Sequence, residues 1–157
     1  MGYRKSDYNR CIHLVDIENA IGSPRCTPEE IRQWFHLYAS RVGIGPGDLV
    51  IVGVTNIHNM FSMERANITA KVVPHFGKDG ADLALQEIMR DGGLAKRFRT
   101  IYCVSGDGGF AEQVGRLGGG GAEVVVVARP VALSKRLQLA AARTILMPGR
   151  SDHDAAA

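Results

Sequence analysis

Three aspartates stand where apolar runs give way to small or polar residues. Asp16 closes Cys11-Ile12-His13-Leu14-Val15-Asp16 and is followed by Glu18 and Asn19. Asp107 comes after Ile101-Tyr102-Cys103-Val104-Ser105-Gly106, and Asp82 lies between them in Lys78-Asp79-Gly80-Ala81-Asp82-Leu83. In an open parallel sheet, positions just beyond the carboxyl ends of the strands converge on one crevice, where ligands bind. Carboxylates gathered there repel one another and raise at least one pKa. A hard cation resolves the conflict, since Mg²⁺ takes a few carboxylate oxygens and keeps several waters. Such an ion polarises a phosphodiester and activates water for in-line attack. Each acid alone is equally well explained as a turn residue or a helix cap. It is the set, all after strands in one domain, that points to a site.

Positioning three acids at one edge requires parallel strands, and the pattern supplies them. Residues 11–15, 49–54, 100–104 and 123–127 are nearly continuous apolar runs, as expected of strands covered on both faces. His13 interrupts the first run, and a lone histidine in a strand reads as a hydrogen-bonded core residue. Residues 68–76 form a further strand, with Pro74 marking it as an edge or irregular one, and 144–147 a short last one. Thr27-Pro28-Glu29-Glu30 opens a helix with a capping box and proline in the first turn. Ile31, Trp34, Phe35, Tyr38 and Val42 then keep helical spacing, and Gly43 ends it. Further helices are expected at 58–67, 82–90, along Phe110, Val114 and Leu117, and at 134–143, with a loop at 20–26. Thr55 and Asn56 fall just past a strand, where ligand contacts collect. The glycines 118–121 follow a helix and precede a strand, the wrong order for a phosphate-binding loop.

Alternating strands and helices predict an α/β fold: a three-layer sandwich on a mostly parallel, right-handed βαβ sheet. We expect a flexible leader at 1–10, one domain at 11–148 and a flexible tail at 149–157. The chain has 157 residues, 45% hydrophobic and 22% charged, which is ordinary globular composition. A net charge of +3 permits an anionic partner without arguing for one. Cys11, Cys26 and Cys103 form no CxxC pair, and Cys11 and Cys103 read as core residues in a reducing compartment. No apolar run approaches a membrane span and no signal-peptide core opens the chain. A cytoplasmic protein is expected.

Val15-Asp16-Ile17-Glu18-Asn19 resembles the D-x-E-N opening of NYN domains, members of the PIN-like nuclease group. Residues Lys78-Asp79-Gly80-Ala81-Asp82-Leu83-Ala84-Leu85 resemble that family's K-G-x-D-x-x-L segment, with one extra residue. Val104-Ser105-Gly106-Asp107-Gly108-Gly109-Phe110 resembles its S-G-D-x-D-F signature. The order of the later elements also matches, so the resemblance spans about residues 12–147. It implies a PIN-like fold and a metal-dependent ribonuclease, with Asp16, Asp82 and Asp107 holding Mg²⁺ or Mn²⁺. The chain departs at Gly109, where the family often carries a second aspartate. Glu112, one helical turn on, reads as a solvated residue rather than a replacement.

On the enzyme reading Ser105 and Asn19 orient an acid, a water or the phosphate, Glu18 joins the cluster or points away, and Lys78 neutralises a substrate phosphate. Arg65, Lys96, Arg97 and Arg99 are candidates for tracking an RNA backbone, although no aromatic residues interleave with them. Homo-oligomerisation is left open. The competing reading is a non-catalytic RNA-binding or regulatory protein with a degenerate site, which Gly109 favours. A phosphohydrolase or nucleotide-binding protein ranks last, because no nucleophile motif or glycine fingerprint accompanies the acids.

Overall fold

The structure is a computed structural model, and it describes residues 9–149. The leader and tail expected at the two ends lie outside the described residues, apart from Asn9, Arg10 and Gly149. In chain order the elements are β1 (Cys11–Asp16), α1 (Ile17–Ile21), α2 (Pro28–Arg41), β2 (Leu49–Val54), α3 (Ile57–Ala66), β3 (Lys71–Pro74), α4 (Gly80–Asp91), α5 (Leu94–Arg97), β4 (Thr100–Val104), α6 (Ala111–Gly119), β5 (Glu123–Ala128), α7 (Lys135–Ala140) and β6 (Arg143–Leu146). Short 3-10 turns occupy Gly108–Phe110 and Pro130–Ala132.

All strand pairs are parallel, in the order β3-β2-β1-β4-β5-β6. The expected α/β architecture, a parallel sheet with helices on both faces, is therefore what the chain adopts. From β1 the chain crosses to one neighbour, β2. Its other neighbour, β4, is reached only after β3 and α4. The switch point thus lies between β1 and β4, and a crevice opens beyond their carboxyl ends.

Two apolar clusters sandwich the sheet. One gathers Val15, Val52, Ile31, Trp34, Phe35 and Met63 under α2 and α3. The other gathers Ile12, Leu14, Ile101, Leu85, Met89 and Val114 under α4 and α6. Successive strand residues face opposite sides. Asp16 therefore shares the side of Ile12 and Leu14, toward α4, and this parity is what lets it meet an acid on that helix.

Helix α2 begins as the sequence indicates, with Thr27 and Glu30 exchanging capping-box hydrogen bonds of 3.1 Å each. Pro74 does fall on an edge strand, but β3 covers only Lys71–Pro74 of the expected 68–76, the span that pairs with β2. Helix α7 is also shorter than residues 134–143. Ala141 turns extended and Ala142 N–H donates to Val124 O at 3.0 Å, so sheet pairing takes over where the helix stops. Two short helices, α1 and α5, were not foreseen. Both have fewer than six residues, too few to show a periodic face. No described helix is long and apolar enough to cross a membrane.

His13 is fully buried, as a core histidine should be. Its Nδ1 lies 2.6 Å from the Tyr38 hydroxyl and its Nε2 2.8 Å from Asp48 Oδ2, and its ring stacks on Tyr102. A neutral ring satisfies both contacts, with Nε2–H donating to Asp48 and Nδ1 accepting from Tyr38. Burial lowers the His13 pKa, against the pull of Asp48. Asp48 also accepts from Cys11 N–H at 3.0 Å and Gly45 N–H at 2.9 Å. Burial works against its charge, but these hydrogen bonds prevail and hold its carboxyl below the usual range. Both shifts act in one direction. A lowered histidine and a lowered carboxylate each cost stability as pH falls through the acid range. Asp48→Ala strips three donors of their acceptor and is expected to cost about 2–4 kcal/mol, read by urea unfolding at pH 7.

Candidate metal-binding crevice

The crevice beyond β1 and β4 is lined by Asp16, Glu18, Asp79, Asp82, Asp107 and Arg129, among others. Asp16 ends β1 and Asp82 sits in the first turn of α4, both almost fully buried. Asp107 stands three residues past β4, where its Oδ1 accepts from Gly109 N–H at 2.8 Å and starts the 3-10 turn. The structure therefore brings all three expected acids to one crevice.

Ser105 and Asn19 hold the acids' supports together. The fully buried Ser105 hydroxyl lies 3.3 Å from Asp16 Oδ2 and accepts from Asp107 N–H at 3.2 Å, so one side chain links both acids. Asn19 Oδ1 accepts from Gly106 N–H at 2.9 Å and pins α1 to the turn after β4. The structure thus gives Asn19 the role of fixing the loop that carries Asp107. The turn itself needs glycine. A Cβ at Gly106 would lie 2.3 Å from the Ala132 carbonyl oxygen, because residues 130–134 cross directly over it. Ser134 N–H closes this crossing with a 2.8 Å hydrogen bond to Gly106 O.

Glu18 reaches toward the α3 side. Its Oε1 accepts from Thr55 N–H at 2.8 Å, the Thr55 hydroxyl at 2.7 Å and Asn59 Nδ2 at 3.0 Å. Its Oε2 is buried with no hydrogen-bond partner. Thr55 thus does sit at the crevice, although it serves Glu18, while Asn56 caps α3 through Asn59 N–H.

The electrostatics are those of crowded anions. Asp16 is pushed up to about 7, first by burial and then by the charges of Glu18 and Asp82. Burial likewise lifts Asp82 to about 6, with Asp107 and Asp79 adding to it and a hydrogen bond from Gln86 opposing it. The same three acids, after burial, raise the Cys103 thiol.

Among the described residues, no set of three His, Cys, Asp or Glu side chains is placed to hold a metal ion as it stands. The chemistry of the crevice nevertheless fits Mg²⁺ or Mn²⁺. Such an ion needs only one or two carboxylates and completes its shell with water, and a bare buried carboxylate oxygen on Glu18 faces no donor. Asp16, Asp82 and Asp107, with Glu18, are the residues that would hold it.

The basic candidates fall elsewhere. Lys96, Arg97 and Arg99 immediately precede β4, and so lie at the amino edge of a parallel sheet, opposite the crevice. Arg65 is at the carboxyl end of α3, just before β3 begins. Lys78 is exposed and does not line the crevice, and Glu112 is likewise exposed. The cation that does line it is Arg129, directly after β5, whose Nε donates to Asn19 O at 2.9 Å. Sequence reasoning missed it, although its place after an apolar strand was a usable signal. Gln86 was missed as well, since a polar helix residue carries no mark of its own.

No protein-family model matches the chain, and neither does any curated protein. A crystal structure of a protein of unknown function from Vibrio parahaemolyticus is similar to it, with a TM-score of 0.61 and 17% identity. The match covers 92% of this chain and 96% of that one. At that identity it shows a shared fold alone.

An acid whose pKa is raised by folding favours the folded state at low pH and loses that advantage as pH rises through the raised value. Metal-free protein is therefore expected to gain from Asp16→Asn progressively as pH rises from 3.8 to about 7, with the full gain present from there upward. The variant should pull ahead of wild type by on the order of a few kcal/mol between pH 5 and 8. Saturating Mg²⁺ or Mn²⁺ should raise the wild-type melting temperature more at pH 8 than at pH 5. Differential scanning calorimetry of both proteins at the two pH values checks this.

Proposed function

We propose that the protein is a metal-dependent ribonuclease of NYN or PIN-like type, hydrolysing RNA phosphodiester bonds at the acidic crevice. The observation that carries the reading is the meeting of Asp16, Asp82 and Asp107 beyond β1 and β4, at the switch point of the sheet. The same strand order serves dinucleotide binding when a glycine-rich turn follows β1. Here Asp16-Ile17-Glu18-Asn19 stands in that place, so the edge presents carboxylates instead of backbone N–H groups.

Bound at these acids, Mg²⁺ or Mn²⁺ would supply charge neutralisation at the phosphate and activation of water. The chain's own groups do the positioning. Ser105 keeps Asp16 and the Asp107 backbone in fixed relation, and Asn19 fixes the turn that carries Asp107. Arg129 places a guanidinium at the same edge, where a phosphate could meet it. The three cysteines are buried and none is in a disulfide, which fits a reducing compartment and supports a cytoplasmic location.

A second reading, a non-catalytic RNA-binding protein, is favoured by two observations. Gly109 stands where the resembled family often has an acid, and no three acids are poised around one point among the described residues.

Purified protein incubated with labelled single-stranded and structured RNA separates the two. Cleavage is expected with Mg²⁺ or Mn²⁺, none with EDTA, and a loss of at least about 100-fold in Asp16→Asn. RNA binding without cleavage in either metal, unchanged by Asp107→Asn, would overturn the enzyme in favour of the binder.

A further inference from the structure

Gly109 looks like a lost ligand in the sequence, but its surroundings give it another meaning. A Cβ built there would lie 3.0 Å from Asp82 Oδ2, 3.2 Å from Asp107 Oδ1 and 3.3 Å from Gln86 Nε2. A side chain at position 109 would therefore press on two acids and an amide, which would have to give by a few tenths of an ångström. Gln86 lies four residues after Asp82 on α4, hence on the same face of the helix, and its Nε2 donates to Asp82 Oδ1. Gln86 is half-buried, and the backbone of α4 is fixed by the packing of Leu85 and Met89 against the sheet.

A carboxylate that must meet a cation works best when one oxygen is already held by a donor and the other is left to the ion. Gln86 provides that donor for Asp82. Its amide carries no charge, so it can stand among the acids without adding to their repulsion, as an aspartate at position 109 would.

We propose that Gln86 is the positioning residue of the acidic site, holding one oxygen of Asp82 in place, with Gly109 sparing that pair the tight contact a side chain there would make. The pair Gln86 and Gly109 is then one device. The chain has an amide on α4 beside the position where the resembled family often has an acid after β4, and Gly109 eases the crowding there. This inference rests on the metal-dependent reading of the site, and its test keeps the two apart.

The test is a double-mutant cycle, read by calorimetric titration of Mn²⁺ and by RNA cleavage in parallel. Gln86→Ala and the near-isosteric Gln86→Met are each expected to weaken Mn²⁺ binding about tenfold or more, and to lower kcat while leaving KM for RNA in place. The melting temperature in EDTA should stay close to wild type, which a merely structural role would not allow. Gly109→Asp should also weaken Mn²⁺ binding. Combined with Gln86→Ala, it should bind more tightly than the two single losses added together would give. Unaltered Mn²⁺ affinity in both Gln86 variants, or strict additivity in the cycle, would overturn the proposal. A wild-type protein that binds Mn²⁺ and cleaves no RNA would sink the ribonuclease reading, and the affinities would still decide the case of Gln86. A wild-type protein that binds no Mn²⁺ overturns both.

Discussion

A carboxylate buried at the end of a central strand governs this molecule. Asp16 is almost wholly out of water, and the acids around it oppose its charge. Stranding an ion in this way costs free energy unless a proton or a cation offsets it. The surroundings are arranged to hold that strained state in place. Ser105 joins Asp16 to the turn carrying Asp107, and Asn19 locks that turn to α1. Glu18 commits one oxygen to three donors and leaves the other bare. A protein that needed only a stable sheet would gain from apolar residues at these places, so the cost is the sign of a task.

The opposite end of the sheet shows how the same chemistry looks when it is purely structural. His13 and Asp48 are also buried or nearly so, yet every contact there is matched by a partner. Their charges and hydrogen bonds close on one another. The crevice acids have donors too, yet one buried Glu18 oxygen has no partner and the acids oppose one another's charge, and that contrast separates a scaffold from a site.

Much of this was readable in the chain. A strand covered on both faces must be apolar throughout, so β1, β2, β4 and β5 announce themselves, and so do Asp16 at the end of β1 and Asp107 shortly after β4. The parity that turns Asp16 toward α4 follows from counting back to Leu14 and Ile12. The basic residues lie away from the crevice for a reason equally open to sequence. Lys96, Arg97 and Arg99 precede a strand, and in a parallel sheet the starts of all strands share the edge away from the crevice. Other features needed three dimensions. Helix α1 is too short to carry a period, Asn19 reveals its partner only when Gly106 is brought beside it, and Gln86 matters only because α4 lays it against Gly109. The meaning of Gly109 was the least legible, since an absent side chain is interpreted by what fills its space.

The central claim is that the crevice holds carboxylates in want of a cation. Carbon-detected NMR of the Asp16 carboxyl, titrated with pH in EDTA and again in saturating Mg²⁺, addresses it most directly. The expected midpoint is near 7 without metal, moving well down into the acid range when Mg²⁺ is present. A midpoint already at the ordinary 3.8 in EDTA, or one near 7 that Mg²⁺ leaves where it was, would contradict the claim.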